Sequence, residues 1–290
     1  MGQEYYRPET IEEALTLLSE NGDDAGIIAG GTDLIVRKKK GIKLPDKVIS
    51  ISEIKGLDAI QYDENSGLKV GSTATMADIA SNETVFEKYT ALAESAGVLA
   101  EQVIRRQATV GGNLCNAAPS AETSTPLLAL GASVCLTSRS GDRVIPLEEL
   151  FLGPGKTSKA KDEILTAIKL PPPSPHGGSI YLKHTRRHGA DLAVVGVAVN
   201  VEMDGNIVKD IKIALGSVAP TVIRAKDAEQ ILLGKTADPE LIKAAGDAAA
   251  DDSKPISDVR SSADYRKEIV AVLTRRGIEE AIKRANGEVL

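Results

Sequence analysis

The stretch Gln107 to Pro126, QATVGGNLCNAAPSAETSTP, has an apolar period of neither two nor 3.6 residues. It predicts neither an ordinary strand nor an amphipathic helix, and the rest of the fold must build around it. Its residues are small or bond locally, with Gly111-Gly112 at its centre. A glycine pair gives the backbone access to positive φ and removes the Cβ that would hold a ligand away. Successive N–H groups can then point into one concavity, a good environment for an anion such as a diphosphate. Asn113, Asn116, Ser120 and Thr123 add short polar side chains. The plainer alternative is a long surface loop with flexible glycines. Strong apolar segments bound the stretch and its complexity is not low, which favours a site.

A second stretch has the same character. Ala25 to Val36, AGIIAGGTDLIV, reads as a strand, a glycine turn and an apolar continuation. Gly30-Gly31 sit where a buried strand ends, with Thr32 and Asp33 immediately after. The spacing is not G-x-G-x-x-G, so the dinucleotide fingerprint of a doubly wound sheet is not indicated. Two separate Gly-Gly turns fit a ligand clamped between two small subdomains. Asp33 has two open roles, accepting a bond from that ligand or stabilising the turn.

Composition narrows the classes. A chain of 290 residues suggests two domains, or one large one. Such a chain buries roughly three quarters of its unfolded surface and needs no staples. Aromatic residues make up 3% and Trp is absent, so the core must be aliphatic. The net charge of −6 argues against a general nucleic-acid binder. It also means that an anionic ligand must be held by local groups rather than a global positive field. Two cysteines, Cys115 and Cys135, are too few for an iron–sulfur cluster or a Cys-based zinc site. They read as small packing residues. His176, His184 and His188 fall within thirteen residues without a metal-ligand spacing. Neither a P-loop nor a Gly-x-Ser-x-Gly elbow is present. The N-terminus has no apolar signal region, and the longest apolar run, Leu192 to Val199, is far short of a membrane span. The expectation is a cytoplasmic protein without a membrane span.

Along the chain, Thr10-x-x-Glu13 predicts a capping box, opening a helix with Ile11, Ala14, Leu15 and Leu18 on one face. The basic run Arg37 to Lys40 reads as a solvated helix end, with phosphate contact as the alternative. Short strands are expected at 47–51 and 67–71, and a capped helix after Thr75-x-x-Asp78. A single helix is expected from about Tyr89 to Arg105, with Leu92, Ala96, Leu99 and Val103 along one stripe. Further strands are expected at 133–137 and 163–170. The run Pro171-Pro-Pro-Ser-Pro175 cannot supply ladder N–H groups and reads as a linker, which marks a domain boundary. Beyond it, a strand at 179–184 and a hairpin around Asp204-Gly205 precede three helices, an α+β pattern.

Ala29-Gly30-Gly31-Thr32-Asp33-Leu34, entered from Ile28, and Thr109-Val110-Gly111-Gly112-Asn113, followed by NAAPSAE, resemble the two flavin loops of a known subunit type. It is the FAD-binding medium subunit of molybdenum hydroxylases, of the xanthine dehydrogenase and carbon monoxide dehydrogenase kind, and the resemblance covers nearly the whole chain. It implies an α+β protein. Residues 1–173 would form two small α/β subdomains clamping FAD, about 1–55 and 56–173, of the molybdopterin-dehydrogenase FAD-binding type. Residues 174–290 would form a C-terminal α+β domain with an antiparallel sheet and helices.

The resemblance also implies roles. Both glycine loops would wrap the FAD diphosphate. Glu122 would bond the adenosine ribose hydroxyls, Leu165 would pack on the cofactor, and Lys183 would contact the flavin. His188 stands where relatives commonly have a second arginine, and Ala190 where they have an acid. Neither glycine loop contains a histidine for covalent attachment, so FAD is expected to be noncovalent. Electrons would come from [2Fe-2S] clusters on a small partner subunit, fed by a molybdopterin centre on a large one. This chain would pass them to NAD or another acceptor, within a dimer of heterotrimers. Two other functions compete: a scaffold whose flavin site has decayed, and a free-standing flavin reductase.

Overall fold

The computed structural model describes residues 3–187 and 189–288; His188 lies outside them. The first layer comprises strand β1 (Glu4–Tyr6), helix α1 (Ile11–Asn21), strand β2 (Ala25–Ile28), helix α2 (Leu34–Lys39) and strand β3 (Lys47–Ser50). The strands form a parallel sheet in the order β1-β3-β2. Thr10 Oγ1 accepts the Glu13 N–H at 3.1 Å, which starts α1. The Glu13 carboxylate accepts from the Glu9 N–H at 2.9 Å, so the return arm of the expected capping box falls one residue early. Ala14, Leu15 and Leu18 are buried against Ile49, Ile51, Ile54 and Leu57.

The middle of the chain is built on an antiparallel sheet. Its elements are β4 (Ile60–Asp63), β5 (Gly67–Gly71), α3 (Met76–Ser81), α4 (Glu83–Lys88), α5 (Thr90–Gly97), α6 (Gln102–Arg105), α7 (Val110–Asn116), α8 (Ser124–Ala129), β6 (Ser133–Ser138), β7 (Gly141–Pro146), a small β8 (Phe151–Gly153) and β9 (Lys156–Thr157) pair, and β10 (Ile164–Leu170). The sheet order is β4-β5-β10-β6-β7. At α3 the capping box of Thr75 and Asp78 is complete.

Two expectations fail here. The helix expected from 89 to 105 is two helices. Ala100 takes the left-handed conformation (φ 42°), and the Arg105 guanidinium donates to the Leu99 and Ala100 carbonyls at 2.9 and 2.7 Å. Arg105 therefore serves the break. Leu92, Ala96 and Leu99 are buried as expected, but Val103 is 70% exposed. The second failure concerns the long polar stretch, which contains the helix α7. Short residues that lack an amphipathic period still coil when a cap and close packing hold them.

The last part has an antiparallel sheet in the order β11 (Gly177–His184), β12 (Val195–Asp204), β13 (Ile207–Gly216), β14 (Ile223–Arg224). Helices α9 (Lys226–Leu232), α10 (Pro239–Asp252) and α11 (Ala263–Ala285) complete it. The expected hairpin joins β12 and β13, with Gly205 at φ 57°. An aliphatic core of Val, Ile, Leu and Ala residues lies between this sheet and the helices. Arg266 is fully buried in α11 and donates to the Val194 and Ser217 carbonyls and to Asp258. Arg260, followed by Arg266, holds the Asp258 carboxyl well below the usual range. The α+β architecture follows from these parts. No described helix is long and apolar enough to cross a membrane.

Candidate cofactor cavity

β2 delivers the chain into the first glycine pair. Gly31 takes φ 69°, a conformation that costs an L-residue with a Cβ about 1–2 kcal/mol. Gly30 is packed so tightly that a Cβ there would lie 1.7 Å from the Gln107 carbonyl oxygen. The turn then enters α2, whose first carbonyls are used: Gly31 O accepts from Ile35 N–H at 3.0 Å and Asp33 O from Arg37 N–H at 2.9 Å. The N–H groups of Gly30, Gly31, Thr32, Asp33 and Leu34 have no acceptor among the described residues. A run of unpaired N–H groups around a positive-φ glycine suits an anion. The Asp33 side chain makes no capping bond at this turn.

The second glycine pair is built differently. Thr109 Oγ1 accepts from Gly112 N–H at 3.2 Å, and Thr109 O accepts from Asn113 N–H at 2.9 Å. Val110 N–H donates to Ala74 O at 3.0 Å and Gly111 N–H to Ser72 O at 2.8 Å. Gly111 and Gly112 are helical, and neither has positive φ. A Cβ on Gly111 would meet the Ser72 Cβ at 2.6 Å. The expected converging N–H groups are therefore absent from this loop; its glycines let α7 lie against residues 72–74.

Between the two turns is a cavity of about 810 Å³. Its size is within the roughly 300–1,000 Å³ of clefts that hold small molecules and cofactors. Ile28, Ala29, Gly30, Gly31, Thr32, Asp33 and Leu34 line it, as do Thr109, Gly111, Gly112, Asn113, Glu122 and Leu165. Asn116 and Ser120 also reach the wall. Three of the residues named from the sequence lie off it. Val110 is buried in the aliphatic core, and Lys183 stands behind Glu122. Thr123 is buried too, its hydroxyl donating to Asn113 Oδ1 at 2.7 Å.

Sequence reading missed several wall residues: Arg37 as a wall residue, Ser72, Lys159, Asp191 and the Leu99–Ala100 break. In the sequence Arg37 reads as part of a solvated basic run with phosphate contact as the alternative, and its position next to Asn116 (Nη2 to Oδ1, 2.5 Å) depends on α2 coming close to α7. Ser72 and Asp191 carried no local signal. A turn of free N–H groups, in a cavity also lined by Arg37, Lys159 and Lys161, fits the diphosphate of a dinucleotide.

Lys183 and Glu122 form a buried pair joining β11 to the segment after α7. Lys183 Nζ donates to Glu122 Oε1 at 2.9 Å and to Val98 O at 3.1 Å, and both side chains are under 10% exposed. Removing one partner of such a pair strands the other charge, at about 3–5 kcal/mol. Burial, and then the Glu122 charge, push the neighbouring Tyr181 phenol well up.

Residues 1–173 match the family described as the FAD binding domain in molybdopterin dehydrogenase, and residues 180–281 match the CO dehydrogenase flavoprotein C-terminal domain. The chain belongs to the FAD-binding medium subunits of the molybdopterin dehydrogenases. The flavoprotein subunit is 32% identical to the xanthine dehydrogenase FAD-binding subunit of Escherichia coli O157:H7, over 98% of both chains. It is 33% identical to the glyceraldehyde dehydrogenase medium chain of Sulfolobus acidocaldarius, covering 95% of this chain and 97% of that one. Its fold is similar to that of a solved structure of carbon monoxide dehydrogenase from Hydrogenophaga pseudoflava, at a TM-score of 0.94 with 32% identity and 98% of each chain covered.

Proposed function

We propose that this chain carries noncovalent FAD and serves as the electron-transfer subunit of a three-subunit molybdenum hydroxylase in the cytoplasm. A small subunit with [2Fe-2S] clusters supplies the electrons, and a large molybdopterin subunit oxidises the substrate. The assembly is a dimer of heterotrimers, and NAD or another carrier takes the electrons from this subunit. The observation that carries the reading is the run of five free N–H groups, Gly30 to Leu34, on the wall of one cavity. A scaffold with a decayed site would have no use for that open turn.

FAD supplies the redox chemistry when bound, and the chain binds and orients it. The Gly30–Leu34 turn holds the diphosphate, with Arg37 and Lys159 adding positive charge. Asn113, Glu122 and Leu165 contribute two polar groups and one apolar contact, and Lys183 acts through Glu122. No described wall residue is a histidine. The one wall cysteine, Cys115, has its thiol pushed up to about 11 by burial, so it stays protonated and a poor nucleophile. Both features support noncovalent attachment. Relatives of similar identity are named for xanthine and glyceraldehyde, so the choice of substrate belongs to the large subunit.

The test is purification of the full-length chain alone and together with its complex. Acid precipitation releases the flavin into the supernatant, and substrate reduces that flavin only when the other subunits are present. Flavin that stays on the polypeptide would contradict noncovalent attachment. Substrate turnover by the lone chain would replace this reading with the free-standing reductase.

A further inference from the structure

Ser72 follows the last residue of β5 and faces the second glycine pair. Its backbone is fully used: the N–H donates to Thr166 O at 3.0 Å, and the carbonyl accepts from Gly111 N–H at 2.8 Å. The residue is 2% exposed, and its hydroxyl has no hydrogen-bond partner among the described residues. A buried hydroxyl costs free energy unless it is bonded, so an unpaired one asks for an explanation. Thr73, Ser124, Ser158, Ser217 and Thr274 also bury unpaired hydroxyls among the described residues. Of these six residues, Ser72 alone lines the cofactor cavity.

We propose that Ser72 is a cofactor-binding residue whose hydroxyl donates to a phosphate or ribose oxygen of the bound dinucleotide. A serine hydroxyl offers one donor and two acceptor positions, and its proton rotates to suit the ligand. Close packing of Gly111 on Ser72 fixes the side chain that would make this bond, since a Cβ on Gly111 would displace it. The glycine of the second pair thus acts on the cofactor indirectly, by allowing Ser72 to reach the wall. The inference rests on the FAD reading given above.

Ser72→Ala separates a ligand-binding hydroxyl from a structural one. The full-length chain is stripped of flavin, titrated with FAD by fluorescence quenching, and melted in its flavin-free form. Loss of one hydrogen bond to the cofactor weakens FAD binding about tenfold. The flavin-free variant should melt at the same temperature as the unaltered chain or higher, because the removed hydroxyl had no partner. Undiminished FAD affinity in Ser72→Ala would overturn the proposal while leaving the flavin reading intact. A lower melting temperature of the flavin-free variant would also overturn it, by showing a structural role. Failure of the unaltered chain to bind FAD would overturn both.

Discussion

Two Gly-Gly turns face one cavity, and they work in opposite ways. At Gly30-Gly31 the backbone is bent through positive φ and leaves five N–H groups free. At Gly111-Gly112 the backbone is helical and the N–H groups of residues 110–113 are all bonded. The first pair leaves its donors open to an anion. The second makes a wall, by allowing α7 to lie against residues 72–74. A dipeptide therefore does not define a role; the fate of its N–H groups does. The cap at Thr109 decides the matter for the second pair, because its hydroxyl and carbonyl take two of the donors that a nest would need.

Three substitutions sharpen that contrast. Gly30→Ala should have the largest effect, since its Cβ would sit 1.7 Å from a backbone oxygen that cannot move alone. Separating the two turns should cost more than about 4 kcal/mol and be visible as loss of both soluble yield and bound flavin. Full occupancy of FAD in this variant would break the packing account. Gly111→Ala comes next. Its Cβ would press on Ser72 at 2.6 Å, an overpacking cost of about 1–3 kcal/mol. The melting temperature of the flavin-free chain should drop, and FAD binding should weaken in addition, because the added Cβ also displaces Ser72.

Gly31→Ala should be the mildest for the fold. Its nearest contacts are the flexible ends of Ile28 and Ile35, and the strain comes from φ 69°. Without ligand the turn can relax, so the melting temperature of the flavin-free chain should barely move. Binding restores the strained geometry, and a cost of about 1–2 kcal/mol appears as a roughly 5- to 30-fold weaker Kd in a flavin titration. An unchanged Kd with a lowered melting temperature would reverse the roles assigned to the two pairs.

Much of this was legible in the sequence, and for physical reasons. The capped apolar face locates α1, the cap at Thr75 locates α3, and Asp204-Gly205 locates the hairpin, because each is set by neighbouring residues. Most cavity residues at 28–34 and 109–113 could also be named, since small residues and glycines mark close approach. The distinction between the pairs was not legible. It depends on Ser72 and Ala74, some forty residues earlier, supplying carbonyls to α7. The pairing of Lys183 with Glu122 was not legible either, because the two residues lie in different parts of the fold. The break at Ala100 was hidden too, because nothing near it in sequence excludes a helix except the reach of Arg105 back to two carbonyls.

Amide hydrogen exchange on the full-length chain, stripped of flavin and then reloaded with FAD, measures the N–H groups themselves. In the flavin-free chain the amides of residues 30–34 should exchange quickly, because they have no acceptor. Those of residues 110–113 should already be slow, because theirs go to Ala74, Ser72 and Thr109. Adding FAD should slow the first group strongly and the second little. Equal protection gained at both turns, or none gained at residues 30–34, would contradict the division of labour between the two glycine pairs.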